Sequence, residues 1–297
     1  MAKFDKNDVY KQVTAGLIAE IEAGVAIWRK PWVVSSANQP QNGISERPYR
    51  GFNRVQLGFL QEQLGSSDPR WYTYKGASEA GFQVRKGSKS ELIVFNKPSV
   101  DERDPDNVKT FWLMRYHKVF HASCVDGIEA YDAVDNAPSH ENDDTACDEA
   151  EVVLEGWCEA HLAAGLRVGA SKAAYYPAVD KIDMPDREMF SLYSGYVQTL
   201  AHEVIHATGH VSRLARREDA SRRTGDAYAK EELIAEFGAA MLCGSLGVPN
   251  DVEQSAAYIK GWAERCREEP ALLIGAINQG ERASDYVHES VYEKVGV

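Results

Sequence analysis

The stretch Thr199–His210, TLAHEVIHATGH, limits what this chain can fold into more than any other. Across residues 188–206, Leu192, Tyr196, Leu200 and Val204, with Val197, Ala201 and Ile205 beside them, recur at helical spacing, and Gly209 marks a C-terminal stop. His202, Glu203 and His206 form H-E-x-x-H off the densest apolar stripe. On a helix, residues i and i+4 stand on one face, so the two imidazoles can reach one metal ion. Glu203 sits beside that face, within reach of a water that the ion would activate. This combination is the signature of zinc-dependent peptide hydrolysis, with Glu203 as general base. The bland alternative is a buried helix with two hydrogen-bonded histidines.

Two histidines need a third ligand. His210 lies two turns from His202, roughly 12 Å along the helix axis, too far to share the ion. A longer pattern ending in histidine would need it at 212, where Ser212 stands. The next helix, Lys230–Gly247, carries Glu232 and Glu236 at i, i+4 on a mostly apolar sequence. Such carboxylates are costly unless something positive faces them. Glu232 is therefore expected as the third ligand, with Glu236 bonded to the far nitrogen of a ligand histidine. Glu231 is the competing ligand, and a solvated acidic edge the alternative reading. Tyr228, His210 and Tyr196 are open candidates for stabilising an oxyanion. Zn²⁺ is the expected ion, with another divalent transition metal such as Mn²⁺ as the variant.

The 297 residues suggest about two domains. Residues 1–118 carry a net +5 and residues 119–297 a net −17, together the chain's −12. No Lys or Arg occurs from Val119 to Leu166, and Asp132–Glu149 is acidic with little to bury. The expected division is therefore a domain at 1–125, an acidic linker at 126–150 and a second domain at 151–297. No apolar run approaches the ~20 residues that span a bilayer, so no membrane partner is expected. MAKFDKNDVYK is charged throughout and does not read as a secretory signal. The five cysteines lack paired spacing and point to a reducing, cytoplasmic setting.

In the front half, Val9, Val13, Leu17 and Ile21 predict a helix over about 5–23, and a second helix is expected over about 53–64. Two strands, Glu91–Asn96 and Thr110–His121, flank a polar loop. Cations interleave with aromatic rings: Trp28, Arg29, Lys30 and Trp32; Tyr49 and Arg50; Trp71, Tyr74 and Lys75; Arg115, Tyr116 and His117. Single strands are held by such combinations, unless the rings are simply core. The back half opens with a helix over about 148–164. A hairpin over 175–184 follows, whose open edge would hold an extended peptide. The basic loop with Arg213, Arg216, Arg217, Arg222 and Arg223 reads as solvated surface, or as a site for phosphate or an acidic substrate.

The order of these pieces resembles ArdC-type antirestriction proteins. In the front half the matching stretches are Pro31-Trp32, Arg47-Pro48-Tyr49-Arg50-Gly51-Phe52-Asn53, Trp71 with Thr73-Tyr74, Val84-Arg85-Lys86-Gly87, and Tyr116 with Val119-Phe120. In the back half they are Tyr175-Tyr176, Asp180-x-Ile182-x-Met184-Pro185, TLAHEVIHATGH, Arg213-Leu214, and Tyr228-Ala229 before Glu231-Glu232-Leu233. Phe120-His121-Ala122 departs from the family, which often has asparagine after the phenylalanine. The resemblance implies an α+β fold: an α+β domain that binds single-stranded DNA, then a mostly helical, zincin-like metallopeptidase domain with a small sheet. It also implies a plasmid-encoded cytoplasmic protein that protects incoming conjugative DNA from host restriction. The expected DNA-binding residues are Trp32, Tyr49, Arg50, Asn53, Trp71, Tyr74, Lys75, Arg85, Lys86 and Arg115. The peptidase substrate would be a protein, such as a host restriction component. The rival reading is a DNA-coating or DNA-mimicking protein whose metal site is structural.

Overall fold

The computed structural model describes residues 6–30, 39–101, 109–132, 143–216, 226–249 and 256–295. The front half begins with α1 (Lys6–Glu22), which buries Val9, Val13, Leu17 and Ile21, the expected stripe. A four-stranded sheet follows, built from β1 (Gln41–Asn42), β2 (Arg70–Thr73), β4 (Glu91–Asp101) and β5 (Lys109–His121) in the order β1-β2-β5-β4. β1 runs parallel to β2, and the other pairs are antiparallel. The β4–β5 ladder extends from Glu91↔Val119 to Asp101↔Lys109, longer than the expected strands. A short helix α3 (Tyr74–Glu79) and a two-stranded ribbon of β3 (Gln83–Val84) and β6 (Val125–Asp126) complete this part.

Strand β4 lies at the edge of its sheet, where unpaired backbone groups invite foreign strands. Helix α2 (Gly51–Gln63) lies along that edge and pairs part of it with side chains. Asn53 donates to the Val94 carbonyl at 2.7 Å and accepts from the Val94 N–H at 2.9 Å, and Gln56 donates to the Leu92 carbonyl at 3.1 Å.

The back half contains α4 (Asp143–His161) and a sheet of order β7-β9-β8, from β7 (Leu166–Val168), β8 (Ala174–Tyr176) and β9 (Lys181–Met184). Four helices follow: α5 (Tyr193–Thr208), α6 (Asp226–Ser245), α7 (Ala256–Glu268) and α8 (Pro270–Val295). The β8–β9 hairpin is the expected one, and the parallel strand β7 is an addition. Helix α5 starts at Tyr193, preceded by a 3-10 turn at Arg187–Met189. None of the described helices is long and apolar enough to cross a membrane.

Packing crosses the expected boundary. One core cluster joins Leu17, Ile21, Trp28, Phe52 and Val55 of the front half to Leu233, Phe237, Trp262, Leu273 and Ile277 of the back half. Helix α8 also caps helix α2: the Gly51 N–H donates to Glu281 at 2.7 Å and the Phe52 N–H to Asn278 at 2.8 Å. These are N-terminal groups that no intrahelical carbonyl can satisfy. Gly51 has φ +56°, and a Cβ there would lie 2.1 Å from Asn278 Oδ1, so this junction requires glycine. Ranges 1–125 and 151–297 thus share an interior. Within the expected linker 126–150, residues 133–142 lie outside the described residues, and α4 begins at Asp143. The acidity of that tract hides an apolar stripe in which Cys147, Ala150, Leu154, Trp157 and Cys158 are buried.

Candidate metal centre

Helix α5 is almost wholly interior: Val197, Leu200, Ala201, Val204, Ile205 and Ala207 are fully buried. Its histidine flank faces helix α6, where Leu233, Ile234, Ala235 and Phe237 fix the rotation and leave Glu231 and Glu232 pointing inward, both buried. His202, His206 and Glu232 each offer one ligand atom, all within 4.8 Å of one another. Glu232 bridges the imidazoles, at 3.7 Å from His202 Nε2 and 3.4 Å from His206 Nε2. Two ligands bound tetrahedrally at about 2.0–2.1 Å would stand roughly 3.3 Å apart. The side chains therefore converge to the spacing around an ion, and two imidazoles with one carboxylate suit a divalent transition metal.

Each histidine has a further carboxylate behind it. Glu231 Oε1 lies 3.5 Å from His206 Nδ1 and 3.1 Å from Arg216 Nη2. Arg216 in turn donates to Thr208 Oγ1 and the Ile205 carbonyl, both at 2.8 Å. Glu236 Oε1 stands 3.7 Å from His202 Nδ1, beside the far nitrogen as expected but beyond direct hydrogen-bond length. Glu231, expected only as a rival ligand, supports His206 from the other side. Burial alone would lower the His206 pKa, but Glu231 and Glu232 outweigh it and push it up to about 9. Burial opposes ionisation of Glu232, yet His202 and His206 hold its carboxyl far below the usual range.

Glu203 is buried, and its Oε2 accepts a 2.6 Å hydrogen bond from the Tyr175 N–H on β8. The N–H of Ile182, the residue opposite Tyr175, donates toward Gly165 at the β7 side. Tyr175 therefore turns its backbone groups to the open edge of the sheet. The general-base candidate and the edge strand of the sheet thus meet beside the three candidate ligands.

Neither reading of the basic loop, solvated surface or anion site, holds for its described members. Arg213 and Arg216 are buried, with side chains 4 % and 7 % exposed. Arg213 grips Asp180 at 2.5 and 3.0 Å, the Tyr175 hydroxyl at 3.2 Å and the His161 carbonyl at 2.8 Å, locking the β8–β9 turn to the end of α5. Burial would raise the Asp180 carboxyl, but Arg213, Tyr175 and the Ala163 N–H hold it at about 2. Arg217, Arg222 and Arg223 lie outside the described residues. Among the oxyanion candidates, Tyr196 is buried against Phe190, and His210 Nδ1 lies 2.7 Å from Ser212 Oγ. Tyr228 is exposed one turn before Glu232, on the same face of α6.

The expected DNA-binding residues divide. Trp71 is buried against His121, and Asn53 is committed to the β4 edge. Tyr49 packs half-buried beside Trp71. Arg50 pairs with Glu281 and Asp285, and Arg85 with Asp126 and the Ser123 carbonyl. Tyr74, Lys75, Lys86 and Arg115 are exposed, and Trp32 lies outside the described residues. The periodicity of rings and cations could not separate these groups, because burial of a ring depends on what roofs it.

A small sheet, an H-E-x-x-H helix and a carboxylate-bearing partner helix define a zincin-like metallopeptidase domain, and residues 154–279 match the zincin-like metallopeptidase family. Residues 7–120 match the N-terminal domain of anti-restriction factor ArdC. The chain belongs to the ArdC antirestriction family. The solved antirestriction ArdC protein from plasmid R388, in its Mn(II)-bound form, superposes with a TM-score of 0.71 at 34 % identity, covering 97 % of this chain and 98 % of that one. Its metal-free form gives a TM-score of 0.68 at 35 % identity, with 96 % and 98 % covered. Among curated relatives, the uncharacterized protein y4eC of Sinorhizobium fredii is 31 % identical, over 95 % of this chain and 92 % of that protein. A DNA primase TraC of Escherichia coli is 34 % identical over 95 % of this chain. The chain spans 27 % of that primase's length, and 20 % of a second primase TraC.

Proposed function

We propose that this protein acts in the cytoplasm, binds single-stranded DNA and protects incoming conjugative plasmid DNA from host restriction. It carries a zinc-dependent peptidase site directed at a protein such as a host restriction component. The observation that supports the catalytic part is the meeting of His202, His206 and Glu232 with Glu203 and the open edge of β8. Zn²⁺, or Mn²⁺ in its place, supplies a Lewis acid that acidifies water and polarises a peptide carbonyl. Glu203 takes the proton from the attacking water and returns it to the leaving amine. The β8 edge aligns the extended substrate by backbone hydrogen bonds. Tyr228, exposed one turn before Glu232 on the same helix, is the candidate oxyanion donor.

The test compares Glu203→Gln with Glu232→Ala for metal content, hydrolysis and protection of DNA entering a restricting host. Glu203→Gln should keep about one ion per chain and lose hydrolysis and protection, whereas Glu232→Ala should lose the ion as well. Normal metal binding by Glu232→Ala would remove Glu232 from the ligand set. A second reading has its own support: α6 carries the carboxylate ligand and also packs into the core shared with the front half. An ion there would brace the DNA-binding region, making the centre structural. Protection that survives Glu203→Gln but not Glu232→Ala would establish that reading.

A further inference from the structure

On the β4–β5 hairpin, alternate residues share a face, and one face carries Ile93, Phe95, Arg115, His117 and Val119. Leu57 and Trp71 cover Ile93 and Val119, forming a small buried cluster. That cover stops short of the next positions. Phe95 is 40 % exposed, and Arg115 and His117 are exposed as well. Ile93 pairs with His117 and Phe95 with Arg115, so Phe95 and His117 are diagonal neighbours. Their rings lie face to face, with centroids 5.0 Å apart and planes within 5°. Trp28, Trp71, Tyr72 and Phe52 of the same half are buried. The Phe95–His117 stack instead stands on the sheet surface, and Arg115 beside it makes no ion pair with a described residue.

We infer that Phe95 and His117 form a stacking platform for a base of single-stranded DNA, with Arg115 on the adjoining phosphate. This rests on the single-stranded-DNA reading above and assigns it a surface. A parallel two-ring stack offers an outer π-face on which an unpaired base fits as a third layer. In a duplex that face of the base is already covered by its neighbours, so the platform selects single strands. Charge favours the same ligand, because this half is net positive. A polar strand explains a ring stack set beside a guanidinium that forms no ion pair with a described residue, a group that an apolar protein partner would leave desolvated.

The experiment titrates the full-length protein into a labelled oligothymidine and a labelled duplex, following fluorescence anisotropy across a salt series. Phe95→Ala and His117→Ala should each weaken single-strand binding about tenfold or more, the range of losing one stacked base. Phe95→Tyr should restore it. Arg115→Ala should weaken binding and flatten the salt dependence by about 0.7 in log–log slope, one phosphate's share on a single strand. Unchanged melting curves and metal content would show that the variants are folded. If the wild type binds no single strand, the parent reading fails. If the wild type binds and the ring variants bind equally well, the platform assignment alone is wrong. Equal losses on the duplex would overturn the selectivity for unpaired bases. A wild-type dimer that Phe95→Ala dissociates would make the stack an interface between copies.

Discussion

Helices α6 and α8 touch backbone to backbone at Gly238 and Gly280, and replacing Gly280 by alanine tests how tightly that contact fixes the metal helix. A Cβ at Gly280 would lie 2.9 Å from the Gly238 nitrogen, 3.1 Å from the Ile234 carbonyl oxygen and 3.0 Å from Phe237 Cβ. Ordinary contact starts near 3.4 Å, so the helices must separate by about 0.5 Å. Two of these atoms are main-chain and cannot swing aside. Overpacking of this kind costs ~1–3 kcal/mol. Alanine is the better helix former by up to ~1 kcal/mol, which offsets part of it. Gly275 lies on the same helix, and a Cβ there would meet nothing within 4 Å, so Gly275→Ala gains the propensity without the clash. The two variants should therefore differ by ~1–3 kcal/mol, with Gly275→Ala melting at least about 2 °C higher. Because Ile234 is two residues from Glu232, Gly280→Ala should also bind the divalent ion more weakly, while Gly275→Ala should not. Calorimetric melts and metal titrations on both proteins measure this. If Gly280→Ala melts as high as Gly275→Ala, the close approach is not a constraint and the reasoning is refuted.

Other consequences can be measured alongside. Gly51→Ala combines a left-handed backbone with a collision against Asn278 and should lose at least ~2 kcal/mol in urea unfolding, whereas Asn278→Ala should lose about 1 kcal/mol, the worth of a cap. Arg213→Met leaves the buried Asp180 carboxylate without its cation and should cost ~3–5 kcal/mol. Asp180 is held at about 2, below its unfolded value, so its stabilisation is complete above about pH 4 and disappears as pH falls toward 2. That contribution is at most ~2 kcal/mol after screening by solvent, and the acid limb of the stability profile should flatten in Arg213→Met. In the metal-free protein His206 holds its proton up to about pH 9, and ligation requires its loss. Apparent metal affinity should then climb roughly tenfold per pH unit between about 6 and 8, and a flat profile would argue against His206 as a ligand.

The convergence of His202, His206 and Glu232 was legible because helical phase carries it: His202 and His206 at i, i+4, and a carboxylate pair at the same interval on the next apolar helix. The support that Glu231 gives His206 was not, since adjacent acidic residues point about a quarter-turn apart and only tertiary packing sets which one faces inward. Asn53 looked like a DNA contact and instead closes a strand edge 41 residues away. The capping of Gly51 and Phe52 by residues 226–230 positions downstream leaves no local trace at all. The exposure of Phe95 is hidden for the opposite reason. This residue ends the apolar run Leu-Ile-Val-Phe, which reads as core throughout, and only the extent of the Leu57–Trp71 cover exposes it.

The cap that α8 places on α2 bears on how this molecule can be taken apart. Cutting between the two family modules would strip Trp28, Phe52 and Leu17 of their neighbours and leave the first amides of α2 bare. Dissected fragments would then report on damaged halves, whatever ligand they were offered. The E. coli primase match runs through both modules, over 95 % of the chain. Swapping one module for a foreign counterpart should succeed only when the far helix travels with it.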